Sequence, residues 1–250
     1  MTKAKLKAGE TVFGCFVRYA DPGIVEVLGY QGLDFMVFDA EHGALGPRDC
    51  ENMVRAAELR GVTPIVRVTT NQQPVILRFL DTGAQGVQVP WVSSGAEAEM
   101  AVRSVKYRPR GIRGLAGVRA ADYAQTIPLG EYVQQANAET LVVIQIETVE
   151  AVERLEEIVQ VDDVDVFFIG PTDLSHSFGF PGQLRHPTVQ EAMDRIAATV
   201  GRSNAALGTF VSDAAAAREW RERGARYIVV GLESLLSQAV RGFLCAARTE

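Results

Sequence analysis

Cysteine is scarce, and its placement is uninformative for cross-linking. Cys15, Cys50 and Cys245 are the only three in 250 residues, odd in number, widely spaced and without a C-x-x-C pattern. That excludes a disulfide framework or a thiolate zinc site and fits a reducing, cytoplasmic setting. Long apolar runs are missing too: none approaches the ~18–20 residues of a membrane span. The segment Met1-Thr2-Lys3-Ala4-Lys5-Leu6-Lys7 runs into Ala8-Gly9-Glu10 instead of an apolar stretch, so no secretory leader and no membrane partner are expected. Positive charge is in deficit, with 25 Lys and Arg against 31 Asp and Glu and a net charge of −6, which argues against a nucleic-acid surface. No G-x-S-x-G elbow occurs, and no lysine ends an apolar run to carry a Schiff base. The glycine-rich Gly111–Gly117 stretch matches neither a dinucleotide fingerprint nor a P-loop.

What is present is the alternation of a parallel α/β protein. Hydrophobic residues make up 47 % and charged residues 22 %, ample for a packed core. Apolar, β-branched runs fall at Val12–Val17, Phe35–Phe38, Thr63–Val68, Gly86–Val89, Leu141–Ile146, Val164–Ile169, Ala206–Val211 and Tyr227–Val230, about as many as a closed barrel needs. Between them, helical periodicity predicts helices at Pro47–Arg60, Gln72–Asp81, Gly95–Lys106, Pro128–Ala136, Thr148–Val159, Thr188–Arg202, Asp213–Gly224 and Ser234–Ala247, with Thr148 as an N-cap. No linker or composition shift divides the chain. The expected fold is therefore a (β/α)8 TIM barrel formed as a single domain over residues 1–250. Two long segments, Tyr107–Ala124 and Asp173–Pro187, break the rhythm downstream of strands, where barrel enzymes build their sites.

Polar residues interrupt the apolar runs at the strand ends that a parallel barrel gathers on one rim. They are Asp39, Glu41 and His42 after the second run, Arg67 in the third, Gln145 and Glu147 at the fifth, and Gly170-Pro171-Thr172-Asp173 after the sixth. Burying any of them unpaired costs several kcal/mol, so they must face one another, a ligand or water. Gln145 and Glu147 share a strand face, and Asp173 comes from the adjacent strand ~4.8 Å away. Two such carboxylates with no thiolate suit a hard divalent cation, Mg²⁺ or Mn²⁺, with Co²⁺ also accommodated. Taken singly, Glu147 also reads as an acid favoured at a helix N-terminus, Asp173 as a turn or cap, and His42 as an exposed loop residue. Arg67 either pairs with Asp39 or Glu41 or grips an anionic substrate. The arginines at 108, 110, 113 and 119 read as a solvated loop or a subunit contact.

At these residues the sequence resembles the HpcH/HpaI aldolase family of metal-dependent pyruvate aldolases. The resemblance spans essentially the whole chain and rests on Phe38-Asp39-Ala40-Glu41-His42, Val66-Arg67, Leu80-Asp81-Thr82-Gly83-Ala84, Gln88-Val89-Pro90, Arg108–Gly114, Gln145-Ile146-Glu147-Thr148 and Phe168–Ser175. It implies that Glu147 and Asp173 bind the divalent cation with Gln145 beside it, and that Arg67 binds the donor and stabilises its enolate oxygen. It further implies that His42 is the base, acting with a metal-bound water and oriented by Asp81, that Asp39 and Glu41 support the site, and that Gly170, Pro171, Thr172 and Asp173 contact the donor's carboxylate. The implied partners are a small 2-oxo acid and an aldehyde, together with further copies of the chain in a trimer or hexamer through the last helix.

Two positions depart from that pattern. Phe16-Val17-Arg18-Tyr19 sets a bulky cation, Arg18, where small or hydroxylated residues are common, and Val211-Ser212-Asp213 is unusual at the end of the seventh run. Both bear on which aldehyde or donor fits. Rival readings are a CoA-thioester lyase of the citrate-lyase or malyl-CoA-lyase type and a non-catalytic barrel that binds a 2-oxo acid.

Overall fold

A computed structural model describes residues 2–248, and its eight parallel strands close into a barrel in chain order. The strands are β1 (Val12–Val17), β2 (Phe35–Asp39), β3 (Thr63–Arg67), β4 (Gly86–Val89), β5 (Leu141–Ile146), β6 (Val166–Ile169), β7 (Ala206–Val211) and β8 (Ala225–Gly231). The helices are α1 (Thr2–Lys7), α2 (Pro22–Gly29), α3 (Pro47–Leu59), α4 (Gln73–Leu80), α5 (Gly95–Val105), α6 (Leu129–Glu139), α7 (Val149–Glu153), α8 (Leu155–Val159), α9 (Pro171–Ser177), α10 (Pro187–Val200), α11 (Ala214–Glu222) and α12 (Leu232–Arg248), with a 3₁₀ helix at Arg119–Ala124.

Strand alternation sorts the side chains into two cores. Inside the barrel lie Val12, Phe16, Phe35, Val37, Ile65, Leu141, Val143, Val166, Phe168, Tyr227 and Val229, with Leu6 of α1 joining them from below. Their neighbours in sequence, such as Cys15, Met36, Phe38, Val66 and Ile144, pack outward under the helices. The floor is aromatic: Phe35 stacks on Tyr227 with ring centroids 4.2 Å apart. Gly14 makes room for it, because a Cβ there would come within 2.3 Å of the Phe35 ring.

The same parity fixes the upper layer. Asp39 continues the inward row of Phe35 and Val37, Arg67 that of Ile65, and Gln145 and Glu147 that of Leu141 and Val143. Register then sets Asp39 opposite Arg67, and Arg67 opposite Gln88. Hydrophobic layers below and a polar layer above thus follow from strand alternation and from the polar residues placed at the strands' C-terminal ends.

Among the elements that differ from the sequence expectation, three have a local cause. The helix predicted over Thr148–Val159 is two short helices, because Arg154 leaves helical geometry at φ −99°, ψ 18°; Thr148 does cap the first, accepting from the Ala151 amide. Asp173–Pro187 is not wholly loop, since α9, started by Pro171, continues through Ser177. Helix α2, which the apolar pattern alone does not isolate, is signalled by Asp21 capping Gly23 ahead of Pro22. The basic segment after α5 is tied down by ion pairs: Arg110 to Glu99 and Asp163, Arg113 to Asp81, and Arg119 to Glu58.

Candidate active site

The upper layer is organised around Arg67. Its Nε donates to Asp39 Oδ1 at 2.9 Å and its Nη2 to Oδ2 at 2.6 Å, a bidentate lock that holds the guanidinium plane in one orientation. Phe16 lies under that plane, 4.6 Å from Cζ to ring centroid. Nη1 is left facing Glu41 Oε2 at 3.2 Å and Gln145 Oε1 at 3.5 Å. Asp39 is fully buried. Burial would raise its carboxyl, but Arg67, the His42 amide and Arg18 together hold it below the usual carboxylate range.

Glu147 sits just past β5 and is also buried. Its Oε1 accepts the Trp91 amide at 2.8 Å, and its Oε2 accepts Gln145 Nε2 at 2.7 Å. Gln145 Oε1 in turn accepts from Gln88, so two amides and a carboxylate form one chain of donors across β4 and β5. Burial pushes the Glu147 carboxyl up to about 7, against the opposing Trp91 amide and with the added negative charge of Glu41 and Asp173. Gly170 lets Glu147 in: a Cβ at that position would meet Oε2 at 2.4 Å. Glu41 is raised as well, by burial first, although Arg67 and the Trp91 indole pull the other way.

His42 stands at the mouth, half exposed, with Nε2 4.0 Å from Glu41 Oε2. Its loop is fixed from below, since the amides of Glu41 and His42 both donate to Asp39 Oδ1. Asp173 lies in the first turn of α9 and is near enough to raise the Glu147 carboxyl. The amides of Thr172 and Asp173 belong to that same first turn, whose N–H groups have no partner within the helix.

The chain therefore gathers Asp39, Glu41, His42, Arg67, Gln145, Glu147 and the Gly170–Asp173 turn on one rim. It does not bring Asp81 there. Asp81 caps the C-terminal end of α4, at the opposite end of the barrel, and pairs with Arg113 at 3.0 Å. Arg18 does reach the site, its Nε donating to Asp39 Oδ2 at 3.0 Å while Nη1 lies 3.6 Å from Glu233 Oε1. Asp213 caps α11, accepting from the Ala215 and Ala216 amides. Three contributors escaped the sequence reading. Gln88 carries the signal used for its neighbours, a polar residue inside the apolar run Val87–Val89. Phe16 and Trp91 carry none, because an aromatic side chain reads as core until its partners are known.

The donor set is one of hard oxygens. Glu147 and Asp173 face each other's charge, Asp173 makes no hydrogen bond or ion pair within the described residues, and Glu41 Oε2 is buried without a hydrogen-bond donor. Acids outnumber the cations Arg67 and Arg18, which is the environment a divalent cation neutralises. No cluster of three or more His, Cys, Asp and Glu side chains capable of a closed metal cage occurs among the described residues. A cation held by two carboxylates keeps positions open for a substrate, as Mg²⁺-type sites commonly do.

Residues 12–238 match the family model described as HpcH/HpaI aldolase/citrate lyase. The chain is 36 % identical over 249 residues to a hydroxypyruvate/pyruvate aldolase of Sagittula stellata, covering 99 % of this chain and 96 % of that one. It is 35 % identical over 235 residues to a 4-hydroxy-2-oxo-heptane-1,7-dioate aldolase of Escherichia coli, covering 94 % and 89 %. A crystal structure of an HpcH/HpaI aldolase/citrate lyase family protein from Burkholderia cenocepacia J2315 superposes with a TM-score of 0.93 at 34 % identity, covering 99 % and 98 %. Taken with the arginine-centred rim, these matches mean that the chain belongs to the HpcH/HpaI aldolase/citrate lyase family and is an aldolase.

Proposed function

We propose that the chain is a class II aldolase that reversibly cleaves a 4-hydroxy-2-oxo acid into pyruvate or hydroxypyruvate and an aldehyde. The observation that carries this reading is the Asp39-locked guanidinium of Arg67 facing the Glu41 carboxylate and lying within electrostatic reach of the buried Glu147. Glu147 and Asp173 would hold a divalent cation, Mg²⁺, Mn²⁺ or Co²⁺, with Gln145 beside it. When bound, that cation supplies positive charge to the oxygens of a 2-oxo acid as the enolate develops.

The chain's own residues divide the remaining work. The free amides of Thr172 and Asp173, after Gly170 and Pro171, suit the donor's carboxylate. Arg67 Nη1 donates to the developing enolate oxygen; because Asp39 already fixes the guanidinium, little reorganisation accompanies the reaction. In cleavage, His42 takes the proton of the 4-hydroxyl, the C3–C4 electron pair moves into the donor enolate, and the aldehyde departs. Protonation at C3 then gives the 2-oxo acid. Addition runs these steps backwards, with His42 serving the proton abstracted from the donor. Glu41, whose Oε2 faces the imidazole, keeps His42 in place.

Asp81 can orient His42 only if a second copy presents its lower rim to this site. Exposed Leu236, Val240 and Phe243 on α12 offer an apolar face for such an assembly, and a homotrimer or homohexamer in the cytoplasm completes the reading. The test follows the methyl protons of pyruvate in deuterium oxide by NMR. Exchange that depends on Mg²⁺ or Mn²⁺ and stops with a chelator is expected. Exchange in chelator contradicts the cation, and no exchange at all contradicts the donor.

A further inference from the structure

Trp91 occupies a position that a bulky residue seldom takes. It follows β4 and Pro90 with φ at +58°, the left-handed region in which a Cβ crowds the backbone. Two hydrogen bonds hold it there, and both end on acids of the active rim. The amide donates to Glu147 Oε1 at 2.8 Å, and the indole Nε1 donates to Glu41 Oε1 at 2.8 Å. The residue is thus held once through its backbone and once through its ring, which remains half exposed.

The same residue lines an open cavity of about 520 Å³ with Thr69, Thr70, Asn71, Gln72, Glu97 and Met100. None of the residues assigned to the donor, the cation or the base belongs to that cavity. Trp91 belongs to this volume and, through its bonds to Glu147 and Glu41, to the active rim, and the surface exposed in the volume is mostly apolar. Strain that survives against two directed bonds marks a position whose geometry is used.

We propose that Trp91 sets the upper size of the acceptor: its indole, tied to Glu41, confines the aldehyde to the mouth of the barrel and excludes chains long enough to enter the adjoining cavity. This inference rests on the aldolase reading given above. It assigns the wild-type protein a preference for short aldehydes and makes the cavity a latent site for longer, apolar ones.

Two substitutions separate the ring from its tether. Trp91→Gly removes the indole and suits the positive φ, while Trp91→Phe keeps an aromatic wall but loses the bond to Glu41. Each is assayed by aldol addition of pyruvate, with Mn²⁺, to glycolaldehyde, propanal and hexanal, and the readout is the ratio of kcat/KM for hexanal to that for glycolaldehyde. Trp91→Gly should raise this ratio at least tenfold, with Trp91→Phe in between. A ratio within twofold of wild type in Trp91→Gly overturns the proposal.

A second measurement does not depend on turnover. Trp220 is the only other tryptophan and lies buried beneath Arg223, outside the site. In Trp220→Phe all indole emission comes from Trp91, and it should shift when pyruvate and Mg²⁺ are added together. Emission unmoved by saturating pyruvate overturns the proposal, even if a glycine variant fails to accumulate. Wild-type protein that exchanges no pyruvate protons overturns the underlying reading and this inference with it; exchange with an unchanged aldehyde ratio overturns this inference alone.

Discussion

The two ends of the barrel each bury a charge, and they solve the problem in opposite ways. At the lower end Lys106 is almost fully buried, but Nζ donates to the Asn137 carbonyl at 2.7 Å and the Thr140 carbonyl at 2.9 Å. Nearby, Lys3 pairs with Asp165 at 3.0 Å, and Thr2 bonds Thr63. At the upper end Glu147 is equally buried, but its surroundings include two further acids, Glu41 and Asp173. Charge below has local hydrogen-bond and ion-pair partners, which hold α1 and α6 against the barrel, although burial still weighs on Lys106. Charge above is left in excess, an arrangement that the proposed cation would neutralise. In a parallel barrel this asymmetry separates stability from chemistry.

The sharpest way to break that contrast is to neutralise the upper acid. Glu147→Gln should abolish cation-dependent pyruvate exchange and aldol cleavage. The same change should raise the thermal stability of cation-free protein, because it removes a buried negative charge from among others, by about 1 kcal/mol. Calorimetry in chelator checks the second effect, and an unfolding temperature lower than wild type would mean that the acid is structural. His42→Ala comes next: donor proton exchange should slow by ~10²–10⁴-fold, with the fold untouched, since His42 is anchored by its amide and its side chain is half exposed. An unchanged rate removes His42 from the role of base.

Most of the upper rim was legible in sequence because strands report side-chain direction two residues at a time. Arg67 between Val66 and Val68, and Gln145 with Glu147 across Ile146, can only be accommodated by facing a common interior. The barrel itself followed from about eight runs, several apolar almost throughout, and four strands match the expected bounds residue for residue: Val12–Val17, Gly86–Val89, Leu141–Ile146 and Ala206–Val211. What escaped depends on backbone geometry that residue type does not encode. Trp91 enters the site only because its φ is positive and its indole finds Glu41. Asp81 shows the converse limit, for a motif shared with a family does not say at which end of the barrel its residue lies, and Asp81 lies beside Arg113, away from the rim. The break at Arg154 is likewise invisible, as the residues on either side keep helical periodicity.

The lower end is tested through pH, with smaller effects. Burial, and the charge of Lys3 beside it, lower the Lys106 ammonium to about 8 from an ordinary 10.5. The unfolded chain therefore holds this proton more tightly than the folded one. Between pH 8 and 10.5 the folded state has released the proton while the unfolded state retains it, so stability rises with pH across that window. Below it both states are protonated and the folded state carries the full burial penalty, at most ~3 kcal/mol from the size of the shift. Lys106→Met removes the titrating group, so urea unfolding of wild type and variant should diverge steadily in favour of wild type as pH rises from 8 to 10.5. Parallel stability curves would mean that the carbonyls of Asn137 and Thr140 compensate the buried ammonium completely, and that the lower end carries no electrostatic strain at all.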